Sequence, residues 1–227
     1  IHHIGDAPNP RALSWHGSRL FTSVHHDLPQ TGWANNAEVH MSDFKTFLKA
    51  GHAPTLLASF LYFAFSCCIW VINGAMAPFI TEDLNLTAAQ KGLMLSIPIF
   101  AGAFMRFPLG LLAQYFGRKT ATLIEMGLIA VAMLYGYFYV NTFDNLLAMG
   151  ALLGIAGASF GVALSLGSGW FPPKYKGLAM GLVGAGNIGT AVSVLIAPPL
   201  APGFGLPTVH GIAAIAIFPP MGGVVFW

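Results

Sequence analysis

Arg106 lies deep within a long apolar run that contains no Asp or Glu. In a membrane interior an arginine is costly unless it faces a cavity or a partner. Its planar guanidinium presents donors in a fork that matches flat oxyanions. The side chain could instead extend to the polar edge of the run, which Gln114 marks about two turns away. We interpret Arg106 as a binding residue for a small anion.

Two other polar residues stand inside apolar runs. Glu125 could relay protons, but Arg118 lies two turns back on the same helical face, so we expect these two side chains to pair. Asn187 is expected to be a buried amide, which could hydrogen-bond a neighbouring helix or a substrate. Both residues are therefore secondary candidates beside Arg106.

Other kinds of chemistry fit the sequence poorly. Residues 184–189 match the pattern G-x-G-x-x-G, but no acidic residue follows Asp144, so we reject nucleotide binding. Cys67 and Cys68 are adjacent in an apolar run and are interpreted as packing residues. The histidines of the first forty residues have no metal-ligand spacing. We expect no catalytic residues, no metal and no cofactor.

Membrane-spanning helices are the elements that would position these residues. A hydrocarbon core about 30 Å thick needs about 20 helical residues, and lipid cannot satisfy an open backbone. The sequence therefore predicts an all-α membrane protein with six transmembrane helices. Glycines at helical spacing, in the sets 150, 154, 157, 161 and 177, 181, 184, predict close helix packing. The spans are predicted near residues 55–80, 92–113, 120–140, 145–169, 177–200 and 206–227.

Composition agrees with a lipid environment. The 227 residues are 56% hydrophobic and only 8% charged, whereas a soluble domain carries about 25% charged residues. So few charges cannot cover a globular surface, and a net charge of +2 gives no indication of a nucleic-acid partner.

Charges near the span ends predict the orientation. Lys and Arg mark the cytoplasmic side of a membrane protein, so we expect a cytoplasmic amino terminus in the cytoplasmic membrane, with Lys91 as the exception. The basic set is Lys45, Lys49, Arg118, Lys119, Lys174 and Lys176, and the opposite acidic set is Glu82, Asp83 and Asp144.

Residues 1–40 are polar and lack an apolar period. We expect them to be disordered or an upstream leader, with the six-helix unit occupying residues 41–227. Because the chain stops within or just after the sixth run, we also expect it to be a fragment.

The end of the second run carries a recognisable motif. Residues 110–119 resemble the signature loop of the major facilitator superfamily, whose pattern is a Gly, then an Asp, then Gly-Arg-Arg/Lys. Gln114 replaces the usual Asp, which bears on the charge pairing by which this loop latches the two halves together. The motif residues are Gly110, Gln114, Gly117, Arg118 and Lys119.

Three further stretches resemble the nitrate/nitrite porter branch of that superfamily. They are residues 70–108 with Arg106-Phe107-Pro108, residues 157–160 with Phe160, and residues 169–190. The last resembles the family's nitrate signature. The likeness covers about residues 44–206, so the resemblance implies the N-terminal half of a major facilitator fold.

That resemblance implies roles for particular residues. Arg106 would bind the anion and Phe160 would pack over its flat face. Family members have twelve spans, and a missing C-terminal six-helix half would supply a second arginine. The fifth span would let backbone and amide groups approach the substrate at Gly184, Gly186, Asn187 and Gly189.

The expected function is a secondary transporter that moves nitrate or nitrite by alternating access. One alternative is a transporter of another small anion, such as a carboxylate. Another is a non-transporting membrane scaffold, in which Arg106 would be dispensable. Because Glu125 is the only deep carboxylate candidate in the sequence, we favour exchange slightly over proton symport.

Overall fold

The computed structural model describes residues 41–226, apart from the side chains of residues 41–43, 204 and 206. The expectation for residues 1–40 lies outside this part. Every regular element in the described part is helical. The helices are α1 Met41–Ala50, α2 Ala53–Trp70, α3 Ile72–Ala75, α4 Ala77–Asp83, α5 Ala88–Tyr115, α6 Arg118–Tyr139, α7 Phe143–Gly157, α8 Ser159–Ser168, α9 Pro173–Gly184, the 3-10 turn Ala185–Asn187, α10 Ile188–Ala216 and α11 Phe218–Phe226.

Six helical segments in the described part are long and apolar enough to cross a membrane, which confirms the predicted fold class. Gly205 separates the fifth segment from the sixth, with a φ of 74° that favours glycine. These six spans are Ala53–Trp70, Ala88–Tyr115, Arg118–Tyr139, Phe143–Ser168, Pro173–Gly203 and Pro207–Phe226.

Four of the predicted continuous spans are interrupted, the sixth of them at Ile217, between α10 and α11. The first ends its long helix at Trp70 and continues as two short helices to Asp83. The fourth breaks at Ala158, whose N–H bonds the carbonyl of Ile155 three residues earlier, at 3.0 Å. The fifth tightens into the 3-10 turn Ala185–Asn187. Glycines next to the breaks in the fourth and fifth spans favour such departures from the α-helix, because glycine has low helix propensity.

Glycines of the fourth span let it pack directly on its neighbours, as predicted for part of the first set. A Cβ on Gly154 would lie 2.6 Å from the backbone carbon of Ala101 in the second span. One on Gly157 would lie 2.5 Å from Nε1 of Trp70 in the first. The missing side chain of Gly154 therefore allows backbone-to-backbone contact, and that of Gly157 makes room for the Trp70 indole.

The prediction that Gly177, Gly181 and Gly184 form close helix contacts is wrong in the described part of the chain. A Cβ on Gly177 or Gly181 would meet no atom within 4 Å, and one on Gly184 would meet only Leu164, at 3.9 Å. Gly186 and Gly189, which are buried against the first span, provide the contact instead. The spacing of glycines in the sequence identifies residues on one face of a helix, but it does not show which neighbouring helix that face contacts.

Glu125 does not pair with Arg118, contrary to the sequence expectation. The Glu125 side chain is fully buried, and its Oε2 accepts a hydrogen bond from the hydroxyl of Tyr62 in the first span. The Arg118 side chain is exposed and lines a cavity. The two residues begin on nearby turns of α6, but their side chains enter different environments.

One end of the bundle gathers the predicted basic loops. Lys119 Nζ donates to the carbonyl of Val225 at 2.7 Å, which joins the start of the third span to the end of the sixth. The rings of His52 and Trp170 lie 5.8 Å apart and join the first and fourth spans at the same end. We name this the basic end. Its assignment to the cytoplasm stays a prediction.

Candidate functional site

A cavity of about 580 Å³ opens beside the second and fourth spans. It contains the two residues singled out for anion binding, Arg106 and Phe160. Its lining consists of Arg106, Gly110, Ala113, Gln114, Arg118, Ala158, Phe160, Gly161, Val162 and Ser165.

One face of the second span forms a wall of the cavity. Arg106, Gly110, Ala113 and Gln114 recur at helical spacing and so share that face. They cover about 12 Å of helix at 1.5 Å per residue. A Cβ on Gly110 would meet no atom within 4 Å, so this glycine leaves open space one turn from Arg106. The wall therefore has room for a ligand along its length.

The cavity carries positive charge without compensation from its lining. Arg106 and Arg118 both line it, and the lining residues include no Asp or Glu. Neither guanidinium makes a hydrogen bond or ion pair with another described residue. Two guanidinium groups on one cavity, with their donors available, provide a site suited to an anion.

Phe160 supplies an apolar surface to this charged cavity. It follows the break at Ala158 and its side chain is 47% exposed. Its ring lies 5.5 Å from that of Phe63, at an interplanar angle of 56°. Phe63 is buried in the first span. The core thus holds one side of the Phe160 ring, while the rest remains accessible from the cavity.

The glycines of the fifth span and Asn187 lie outside this cavity lining. Asn187 is exposed rather than buried as expected, and its Oδ1 lies 3.7 Å from Sγ of Cys67. Gly184, Gly186 and Gly189 face the fourth and first spans, where a Cβ on Gly189 would overlap the carbonyl oxygen of Ala64. Their substrate role stays a prediction from the sequence, and the position of Asn187 outside the lining argues against a direct role for its amide.

Gly186 has an indirect connection to the cavity. A Cβ there would lie 2.9 Å from Cδ1 of Phe63, the same ring that packs against Phe160. The close approach of the fifth span therefore sets the position of Phe63, which supports the Phe160 ring.

The motif loop contributes more to the cavity than the sequence indicated. Gly110, Gln114 and Arg118 line it, whereas Gly117 provides the turn before the third span, with a φ of 85°. Lys119 instead bonds to the end of the sixth span. Three members of the motif therefore share one cavity with Arg106.

Sequence reasoning missed Arg118 and Ser165 as cavity residues. Arg118 approaches the fourth span closely because Gly169 has no side chain: a Cβ there would overlap Nη1 of the guanidinium. Ser165 follows Gly161 by one turn on the cavity side. The four-residue spacing of Gly161 and Ser165 was visible in the sequence, but the contact with Arg118 was not.

Cysteine and histidine chemistry does not add a metal centre to the described residues. Within residues 41–226, no three His, Cys, Asp or Glu side chains lie close enough together to hold a metal ion.

Asn187→Ala tests the role of the fifth-span amide. Because Asn187 lies outside the cavity lining, we expect uptake within about twofold of the parent when the variant chain is joined to a C-terminal six-helix half, as for a surface change of under about 0.5 kcal/mol. Initial rates of labelled nitrate uptake at matched protein level measure this effect. A tenfold loss in a normally folded variant would instead assign Asn187 to the substrate.

Known proteins bear a clear similarity to this chain. It is 36% identical over 156 residues to proteins named "Probable nitrate transporter NarT" in Staphylococcus aureus strains JH9, Newman and USA300. The matched stretch covers 67% of this chain and 39% of each relative, so the chain spans well under two thirds of their length. Residues 58–227 match the family described as Major Facilitator Superfamily. The chain is a multi-pass membrane protein that belongs to the major facilitator superfamily.

Proposed function

We propose that this chain forms the N-terminal half of a secondary transporter for nitrate or nitrite. The observation that carries the proposal is the cavity lined by Arg106, Arg118 and Phe160, with no carboxylate in its lining. Nitrate is planar, singly charged and weakly hydrated. A guanidinium fork matches its edge, and an aromatic ring suits its flat face.

The cavity is open on one side and is much larger than one nitrate ion. Transporters of this architecture hold substrate near the membrane midplane between two repeats. A C-terminal six-helix half is therefore the proposed partner, closing the cavity and supplying its second wall. Rocking of the two halves gives alternating access, and the anion crosses unchanged, so the protein is not an enzyme.

The proposed location is the cytoplasmic membrane, with the basic end in the cytoplasm. The basic end holds Arg118 and Lys119 at the start of the third span. Lys and Arg at span ends favour the cytoplasmic side. In this orientation the cavity wall from Arg106 to Gln114 runs towards the cytoplasm.

A small carboxylate is the second candidate substrate, since Arg106 would also bind it bidentately.

A competition experiment separates nitrate from a small carboxylate as the substrate. We define the completed transporter as this chain joined to a C-terminal six-helix half of the family, reconstituted in liposomes. We expect unlabelled nitrate and nitrite to suppress labelled nitrate uptake at concentrations where formate does not. Formate uptake that nitrate fails to inhibit would replace our proposal with the carboxylate one.

A further inference from the structure

Glu125 is a buried acid that the anion cavity does not use. Its side chain has no exposed surface, and it lies inside the third span. Oε2 accepts a hydrogen bond from the hydroxyl of Tyr62, which is itself fully buried. Oε1 is buried and has no hydrogen-bond partner in the described part of the chain. One oxygen of this carboxyl group is therefore left without compensation.

No described cation neutralises Glu125. The helices that pack against the third span carry few ionisable groups, and only Tyr62 is bonded to the carboxyl. An ionised carboxylate in an apolar interior without a cation is far costlier than a neutral acid. A bound proton removes that cost. The other ionisable groups on these helices and on the third span itself are Lys91, Arg106, Tyr115, Arg118, Lys119, Tyr135, Tyr137, Tyr139, Asp144, His210, Cys67 and Cys68.

A buried polar face of the first span leads from the basic end to this acid. Thr55, Ser59 and Tyr62 recur at intervals of three or four residues and so share one helical face, and His52 precedes the helix as its N-cap. Thr55, Ser59 and Tyr62 are each at most 4% exposed. His52 Nδ1 lies 2.7 Å from Oγ1 of Thr55, and Ser59 Oγ donates to the carbonyl of Thr55 at 2.7 Å.

Space for water exists at the outer part of this face. A cavity of about 60 Å³ is lined by Thr55, Lys119 and Trp170, among others, at the basic end. This volume is sufficient for one or two water molecules, whose share of the liquid is about 30 Å³ each. Thr55 thus lies between a hydratable space and the buried hydroxyl groups of Ser59 and Tyr62.

We propose that Glu125 and Tyr62 form a proton-binding site that exchanges its proton with the basic end along the polar face of the first span. In the described conformation the proton is held on the Glu125 carboxyl group. Its release breaks one O–H bond of Glu125 and passes the proton to water, while the electron pair stays on the carboxylate. Rebinding reverses this step. The Tyr62 hydroxyl donates to Oε2, so Oε1 is the oxygen that takes up the proton.

The role of this site in transport rests on the proposed function. A proton bound to Glu125 keeps the first and third spans packed against each other. Loss of the proton places an uncompensated charge there and favours a conformation that admits water. Anion movement through the Arg106 cavity is thereby linked to a proton at the basic end.

Infrared spectroscopy of the purified chain tests proton binding without any transport assay. The carbonyl stretch of a protonated carboxyl group is separate from the bands of carboxylates. We expect this band at neutral pH in the wild type, its loss in Glu125→Gln, and its retention in Glu82→Gln, which removes an exposed carboxylate of α4. Tyr62→Phe should shift the band by removing its hydrogen bond. Persistence of the same band in Glu125→Gln would overturn the proposal.

Transfer into deuterium oxide tests the route. The band shifts as deuterium replaces the proton, and we expect Thr55→Val to slow that shift by at least about tenfold, because one hydroxyl step is lost. Thr81→Val is the control, since it removes a hydroxyl group that lies in α4, outside the polar face of the first span, and that donates to the carbonyl of Ala77. Equal exchange rates in wild type, Thr55→Val and Thr81→Val would exclude this route.

The completed transporter tests the link to anion movement. With a pH-sensitive dye inside the liposomes, we expect nitrate-driven proton movement in the parent and none above protein-free liposomes in Glu125→Gln. Unchanged proton movement in Glu125→Gln would overturn the link. If the parent moves no nitrate while the infrared band is present, the proposed function fails and the proton site stands.

Discussion

Replacing Arg106 by lysine is expected to reduce nitrate uptake by at least about tenfold in the completed transporter. Lysine keeps the positive charge but loses the planar fork that donates two parallel hydrogen bonds. A hydrogen bond to a charged group contributes about 1.5–3 kcal/mol, and 1.4 kcal/mol corresponds to about a factor of ten in affinity. Initial rates of labelled nitrate uptake over a range of concentrations measure the loss.

A second substitution separates charge from geometry at this position. Arg106→Gln removes the charge as well and should lower uptake further than Arg106→Lys. Lys91→Arg is the control, because it changes the same pair of residue types at the far end of the second span, outside the cavity lining. If Arg106→Lys transports nitrate like the parent at equal protein level, Arg106 does not bind the anion through its fork.

Gly189→Leu is expected to cause the largest loss of folded protein. Any Cβ at this position overlaps the carbonyl oxygen of Ala64, which is backbone and cannot rotate away. The first and fifth spans would have to separate, and overpacking of this kind costs at least about 1–3 kcal/mol. The yield of monodisperse protein in detergent, and its temperature of unfolding, measure the effect.

Gly181→Leu provides the matched control in the same span. A Cβ on Gly181 meets no atom within 4 Å, so the identical substitution should leave the yield of folded protein near that of the parent. A similar loss in both variants would show that the fifth span rejects bulk in general, rather than at the contact with Ala64.

A milder change tests the indirect connection of the fifth span to the cavity. Gly186→Ala places a Cβ 2.9 Å from Phe63, whose ring supports Phe160. We expect lower nitrate uptake with the protein still folded, because the Phe63 ring must move and the Phe60 carbonyl oxygen, 3.0 Å from the same Cβ, must give way slightly. Uptake equal to that of Gly181→Ala would show that Phe160 does not depend on this contact.

The fold class could be predicted because it depends on length, hydropathy and the backbone's need for hydrogen bonds. Those quantities are local to each run of residues. The breaks at Ala158 and at Ala185–Asn187 could not be placed, since the glycines beside them are compatible with either a tight contact or a break. Gly154 forms such a contact, whereas Gly181 faces open space.

Pairing between distant residues was the harder part of the site to predict. The sequence singled out Arg106 and Phe160, and the cavity brings them together. It also paired Arg118 with Glu125, the nearest acid on the same helical face. The Tyr62 hydroxyl, 63 residues away in the chain, bonds that acid instead. Helical spacing ranks partners within one span and contains no information on side chains from another.

Labelled nitrate uptake by liposomes containing this chain, with and without a C-terminal six-helix half of the family, tests the central claim most directly. The chain supplies only one wall of the Arg106 cavity in our account. We predict no saturable uptake by the chain alone, and saturable uptake that Arg106→Ala abolishes when both halves are present. Saturable uptake by the chain alone that is lost in Arg106→Ala would contradict the two-half account and indicate a self-assembled transporter.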